Sequence, residues 1–168
     1  MEQPKSLRVL VPITAGVDEL GAASVTTILR RGGCHVVTAS VSGSNPIVGQ
    51  YRMRLLADID LHDALVEWAN AWDLVVCLGG PSAAPRFAAS SPLVEMLSER
   101  LAYGRPIAAL GAGVGILTRL RKRTDCVDRS PSLDTGGPPK GERFPVGPTQ
   151  QVIVEDRCIL ARNAGSAI

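Results

Sequence analysis

The chain is poor in the side chains that most enzyme chemistry uses. Aromatic residues make up 4% of its 168 positions and there are only two histidines, His35 and His62. So few aromatics leave Val, Leu, Ile and Ala to build the core. Both histidines read as surface or strand-edge residues, and two isolated imidazoles give no metal cluster, so no metal site and no cofactor are expected. A charge excess is missing too: 18 basic against 16 acidic residues leave a net charge of +2. That balance argues against a broad nucleic-acid surface. No apolar run reaches the ~18 residues of a membrane span, so no membrane partner is expected. The four cysteines, Cys34, Cys77, Cys126 and Cys158, show no C-x-x-C spacing. Each lies in or beside an apolar, strand-like run, as reduced and buried thiols of a cytoplasmic protein do. The polar start, residues 1–5, leads directly into a strand and predicts no signal peptide.

What is present is a regular alternation. Residues 7–13 form an apolar run rich in β-branched residues, a buried strand. A helix is expected over 18–31, with Leu20, Ala23, Ile28 and Leu29 as its apolar positions. Asp18 and Glu19 at its start complement the helix dipole, and Gly32-Gly33 ends it. A second strand follows at 36–41, then a turn at 43–46. Residues 47–59 read as a hairpin or a pair of short strands, 60–68 as a helix and 73–78 as a buried strand. Gly79-Gly80-Pro81 is a turn. A helix over 92–103 has Ser91 as its cap and Pro92 in its first position. Residues 107–110 are a strand and 113–122 a helix. The Gly/Pro-rich stretch 135–148 is a surface loop, and 151–155 with 157–161 form a last hairpin-like pair. There is no internal repeat and no linker, so one domain spans 1–168.

Strands apolar along their whole length, alternating with helices, predict an α/β fold with a mostly parallel sheet covered on both faces. Ligands of such sheets lie beyond the carboxyl ends of the strands. Three turns leave those ends, at 14–17, 79–81 and 111–113, and should converge. The third has the layout of a nucleophile elbow, a strand running through a sharp small-residue bend into a helix. Its apex is Gly111, which has no side chain to react.

Three segments carry a resemblance that covers nearly the whole chain. They are Arg8-Val-Leu-Val-Pro-Ile-Thr-Ala-Gly-Val-Asp-Glu-Leu, Asp73-Leu-Val-Val-Cys-Leu-Gly-Gly-Pro and Ile107-Ala-Ala-Leu-Gly-Ala-Gly. In order and separation they resemble the ThiJ/PfpI superfamily, within it the parkinsonism-associated deglycase and glyoxalase branch. The resemblance implies a flavodoxin-like three-layer sandwich, commonly a homodimer. It also implies an elbow cysteine acting as thiolate, a glutamate from the turn after the first strand that bonds the thiol, and sometimes a histidine before a proline. Position by position, the cysteine falls on Gly111, the glutamate on Gly21 and the histidine on Ser130. The Gly-Gly turn that would supply backbone donors is kept as Gly79-Gly80, preceded by Leu78 where the family commonly has proline. The family continues past the Ala164-Gly165 turn into a long final helix. This sequence ends at Ile168, so a sheet face is expected to be covered by self-association.

The resemblance therefore implies a non-catalytic family member with a binding or regulatory, stress-related role. Its retained ligand site would be Gly79, Gly80, Gly111, Ala112 and Gly113, whose amides suit a small carboxylate or phosphate. The alternative is an active deglycase, glyoxalase or amidase using substitute residues, for which Cys77, Asp18 and Glu19 are the nearest candidates. A third reading takes Gly111-Ala-Gly113-Val-Gly115 as a dinucleotide loop, with Asp128 at the ribose. The spacing is G-x-G-x-G, and the strand before it does not open a βαβ unit. The one basic cluster, residues 119–123, sits at a helix C-terminus, where cations complement the dipole.

Overall fold

The computed structural model describes residues 6–68, 71–123, 144–146, 150–155 and 158–161. Strand β1 (Arg8–Ile13) is buried from Val9 onward and lies inside the main sheet. Helix α1 (Glu19–Arg31) follows, then β2 (His35–Ser40), parallel to β1. Two short strands, β3 (Ile47–Val48) and β4 (Arg54–Leu55), pair antiparallel as a separate hairpin. A third, β5 (Ile59–Asp60), joins the edge of the main sheet beside β2. Helix α2 (Leu61–Trp68) leads to β6 (Leu74–Leu78), and α3 (Ala83–Ala89) and α4 (Ser91–Ala102) lead to β7 (Ile107–Leu110). A 3₁₀ turn at Gly111–Gly113 then opens into α5 (Val114–Arg123). Three further strands are β8 (Phe144–Val146), β9 (Gln150–Glu155) and β10 (Cys158–Ala161).

The eight strands of the main sheet run in the order β5-β2-β1-β6-β7-β10-β9-β8. Pairing is parallel from β5 to β10, and antiparallel where β9 and β8 are added. Strand order reverses direction between β1 and β6, where ligand crevices of such sheets form. The central strands supply Leu10, Val11, Val75, Cys77, Ile107 and Ala109 to the core, all fully buried. Packing with few aromatics works here because the central strands β1, β6 and β7 are buried along nearly their whole length. Phe87 of α3 and Trp72, just before β6, are the large aromatic exceptions.

Several expectations need correction. On α1 the inward positions are Ala22, Val25 and Leu29. Leu20 is 75% exposed and Ile28 67%. The i, i+3, i+7 row beginning at Ala22 faces the sheet, and the apolar residues outside that row are left in solvent. Helix α3 was hidden in the sequence by Pro81 and Pro85. Pro85 sits in the helix's first turn, where a missing N–H costs nothing. Helix α4 begins one residue early: Ser90 is its N-cap, Ser91 its first residue, and neither serine hydroxyl caps it. The loop expected over 135–148 contains β8. Its Pro145 is tolerated because β8 is the sheet's last strand and needs no donor on its outer edge. The hairpin-like pair at the end is there, as β9 and β10. Ser130, Cys126, Asp128 and the Ala164-Gly165 turn, with everything expected beyond it, lie outside the described residues. Among the described residues no helix is long and apolar enough to cross a membrane.

Candidate functional site

The three turns at the carboxyl ends of β1, β6 and β7 do meet. Asp18 N–H donates to the Gly79 carbonyl at 2.9 Å, joining the first turn to the second. A Cβ on Gly79 would overlap the amide nitrogens of Ala112 and Gly113, and one on Gly80 would overlap the Gly16 carbonyl. Glycine is needed at both because backbone presses on backbone. Gly79 and Gly80 are buried beneath the elbow, whereas Gly111 is half-buried and Ala112 exposed.

Gly111 holds φ +57°, and a Cβ there would meet nothing within 4 Å among the described residues. This is the left-handed bend of an elbow apex, with open space where a side chain would stand. Left-handed backbone costs a non-glycine residue about 1–2 kcal/mol, so glycine relaxes the bend. The chain then tightens into the 3₁₀ turn before α5, which therefore begins at Val114 rather than Gly113. Gly113 is fixed for another reason: a Cβ would overlap the Cys77 carbonyl.

The substitute candidates are placed as follows. Cys77 lies on β6 opposite Ala109, with no exposed surface. Burial pushes its thiol up to about 12, and the charge of Arg100 only partly offsets this. A thiol so held is protonated at neutral pH and reaches no solvent. Asp18 is the N-cap of α1: its Oδ1 accepts from the amides of Leu20 at 3.1 Å and Gly21 at 3.2 Å. Gly21 sits against that carboxylate, since a Cβ would lie 3.3 Å from Asp18 Oδ2.

Glu19 is the helix-start residue expected, the first of α1, but its side chain is packed inside the protein. It is 2% exposed. Its Oε1 accepts from the backbone amides of Tyr51 at 2.6 Å and Met53 at 3.2 Å, in the tip of the β3–β4 hairpin. Gly49 of the same tip lies so close that a Cβ would overlap the Glu19 side chain. Glu19 Oε2 is buried and has no hydrogen-bond partner among the described residues. Nothing local in the sequence signals this contact, because the partners lie more than thirty positions away and give only their amides.

The dinucleotide reading loses its context here. The elbow follows β7, well after the first βαβ unit, and Gly115 opens onto free space rather than onto a close-packed strand. A shallow crevice of about 50 Å³ lies among α3, α4 and α5, lined by Ala88, Val94, Ile116, Arg119 and Leu120. It has room for about one or two waters and does not involve the three turns.

Similarity to known proteins agrees with this geometry. A model of the DJ-1/PfpI family matches residues 7–124. The chain belongs to the DJ-1/PfpI family. It is 33% identical over 110 residues to protein DJ-1 homolog B of Arabidopsis thaliana, a match covering 66% of this chain and 24% of that protein. Homolog A of the same plant is 34% identical over 105 residues, covering 62% and 26%. The chain thus spans about a quarter of the length of these relatives. Among solved structures, oxidized Toxoplasma gondii DJ-1 superposes with a TM-score of 0.73 at 23% identity, covering 96% of this chain and 84% of that one. Drosophila melanogaster DJ-1beta gives 0.72 at 20%, with the same coverage. At those identities the structures establish the shared fold: an α/β sandwich with a mostly parallel sheet flanked by helices.

Proposed function

We propose that this chain is a non-catalytic member of the DJ-1/PfpI family, keeping the elbow as a binding or regulatory site. The observation that carries the reading is Gly111: the left-handed apex is intact, the space beside it is open, and no side chain occupies it. The fold supports it, since a chain that had decayed would not keep glycines at every backbone contact around the elbow. The exposed part of the site is the Gly111-Ala112 segment at the start of the 3₁₀ turn, where amides ahead of α5 favour a small carboxylate or phosphate. Gly79 and Gly80 buttress it from below.

The alternative, an enzyme with substitute residues, needs a thiolate or an activated water beside Gly111. Cys77 does not meet that need, being buried and held protonated. Asp18 is already engaged as the cap of α1. The deciding assay is consumption of methylglyoxal by the wild type, Gly111→Cys and Gly111→Cys/Gly21→Glu. Turnover only in the restored chains is expected. Wild-type turnover equal to that of the double variant overturns the reading.

Self-association belongs to the same proposal. Leu20, Tyr51, Met53 and Leu56 are 75%, 66%, 61% and 76% exposed. The first three are brought near one another by the Glu19 contact, and together they make an apolar surface suited to a second copy. Light scattering at micromolar concentration should give more than a monomer mass, and Leu20→Lys should lower it. A strictly monomeric wild type sinks this part.

A further inference from the structure

Glu19 is a buried carboxylate that the elbow reading does not use. It reaches the hairpin at a particular point. Tyr51 and Met53, its two amide donors, flank Arg52, and Arg52 holds φ +70°. A left-handed residue between two amides turns both N–H groups to one side, making a concavity that favours an anion. Here the anion is the protein's own Glu19. Two backbone bonds run alongside: Gly16 N–H to the Val48 carbonyl and Gln50 N–H to the Val17 carbonyl, both 2.9 Å. The hairpin is therefore strapped across the turn that follows β1, the turn which also carries Asp18 onto Gly79.

The base of the hairpin is held differently. Asn45 Nδ2 donates to the Ala57 carbonyl and Ala57 N–H donates to Asn45 Oδ1, each at 3.1 Å. Ile47 is 2% exposed and roots β3 in the core. So the segment has a clamped base that makes no use of Glu19, and a tip held by one carboxylate together with two backbone bonds to the turn after β1. That carboxylate is only half satisfied, because Oε2 is buried without a partner among the described residues. A buried acceptor left unpaired weakens the closed arrangement relative to one that is fully bonded.

We propose that residues 48–55 are a strap latched by Glu19, able to open at the tip while the Asn45–Ala57 base stays closed. Opening breaks the Tyr51, Met53, Gln50 and Gly16 bonds and uncovers the first turn of α1 together with the turn after β1. The latch lies on the carboxyl-end side of β1, the first of the three turns that build the elbow site. Its state therefore decides whether that side of the site is covered. The proposal does not depend on whether the chain is catalytic.

Amide hydrogen exchange and limited trypsin digestion test it on the full chain, at a dilution where light scattering gives the monomer mass and no second copy covers the tip. Arg52 and Arg54 are exposed in the strap, and Arg86 on α3 is an exposed reference. Glu19→Ala should speed exchange at Tyr51 and Met53, and cleavage after Arg52 and Arg54, by about a hundredfold or more, the factor for losing two hydrogen bonds to a charged group. Exchange at Ala57 and cleavage after Arg86 should not change. Glu19→Gln keeps an acceptor oxygen without the charge and should fall between wild type and Glu19→Ala. Gly49→Ala places a methyl against the Glu19 side chain and should open the strap with Glu19 still present, which covers the case that Glu19→Ala does not fold. Equal acceleration at Ala57 would mean that the hairpin unfolds as one piece, and overturns the strap. Unchanged Tyr51 and Met53 exchange in a folded Glu19→Ala or Gly49→Ala chain overturns the latch.

Discussion

Cys77 and Gly111 stand close together at the carboxyl ends of adjacent strands, and they divide between them what a reactive thiol needs. Cys77 has the sulfur but lies fully buried, with burial pushing the thiol up to about 12. Gly111 has the bend, the open space and the start of a helix, but no sulfur. The carbonyl of the first residue even packs against the elbow, at Gly113. A thiolate is created by its surroundings rather than by its atom, so proximity gives Cys77 no share in the elbow's chemistry.

The sharpest way to break that comparison is to move the sulfur. Gly111→Cys should alkylate with iodoacetamide at neutral pH about a thousandfold or more faster than Cys77 in the wild type. The factor follows from a thiol near or below its ordinary range against one held at about 12. The variant should lose about 1–2 kcal/mol of stability to its left-handed backbone. Similar rates, measured by mass spectrometry of the modified peptides, would mean that the bend confers no activation.

A second test separates two glycines of the same elbow. Gly113→Ala forces a methyl onto the Cys77 carbonyl, backbone that cannot step aside. A destabilisation at the upper end of overpacking, about 3 kcal/mol, is expected in urea unfolding. Gly111→Ala has open space and should cost only the backbone term, about 1–2 kcal/mol. Equal losses would show that space and backbone angle are not separable here.

Cys77 offers the third test through pH. Its thiol is raised from 9.0 to about 12 in the folded state, so folding holds the proton more tightly than the unfolded chain does. The resulting stability is complete below the unfolded value and falls as pH rises toward the folded one. Near pH 10 the wild type should therefore lose about 1 kcal/mol more, relative to pH 8, than Cys77→Ala does. Comparing the two chains cancels the titration of other groups. Parallel stability curves would show that the thiol is not desolvated in this way.

What could be read from the sequence divides along the same line. The run 107–110, the bend after it and the meeting of three turns were legible, because strand hydrophobicity and glycine punctuation are local signals. The absence of a side chain at Gly111 needed only the identity of one residue. Glu19 was read only as a helix-start charge because its further partners are backbone amides of a distant hairpin, and amides have no sequence signature. The inward face of α1 was misplaced for a related reason. Leu20 and Ile28 are as apolar as the residues that face the sheet, and only tertiary packing chooses between the rows. Helix α3 was lost to prolines that interrupt a pattern without breaking the helix.

The smallest expected effect tests whether the elbow's glycine spacing means anything as a motif. Gly111, Gly113 and Gly115 alternate regularly, which is what suggested a dinucleotide loop. In the structure the first serves a left-handed bend and the second a backbone contact, but the third has neither reason: its Cβ would enter open space and its φ is ordinary. It sits exposed in the first turn of α5, where alanine is the better helix former. Gly115→Ala should therefore stabilise the chain by up to about 1 kcal/mol, seen as a higher urea midpoint at unchanged slope. A motif that holds a pyrophosphate needs close backbone approach at each glycine, and such a position does not improve when a methyl is added. Should Gly115→Ala instead destabilise the fold, the spacing would have a structural requirement that neither the bend nor the Cys77 contact supplies.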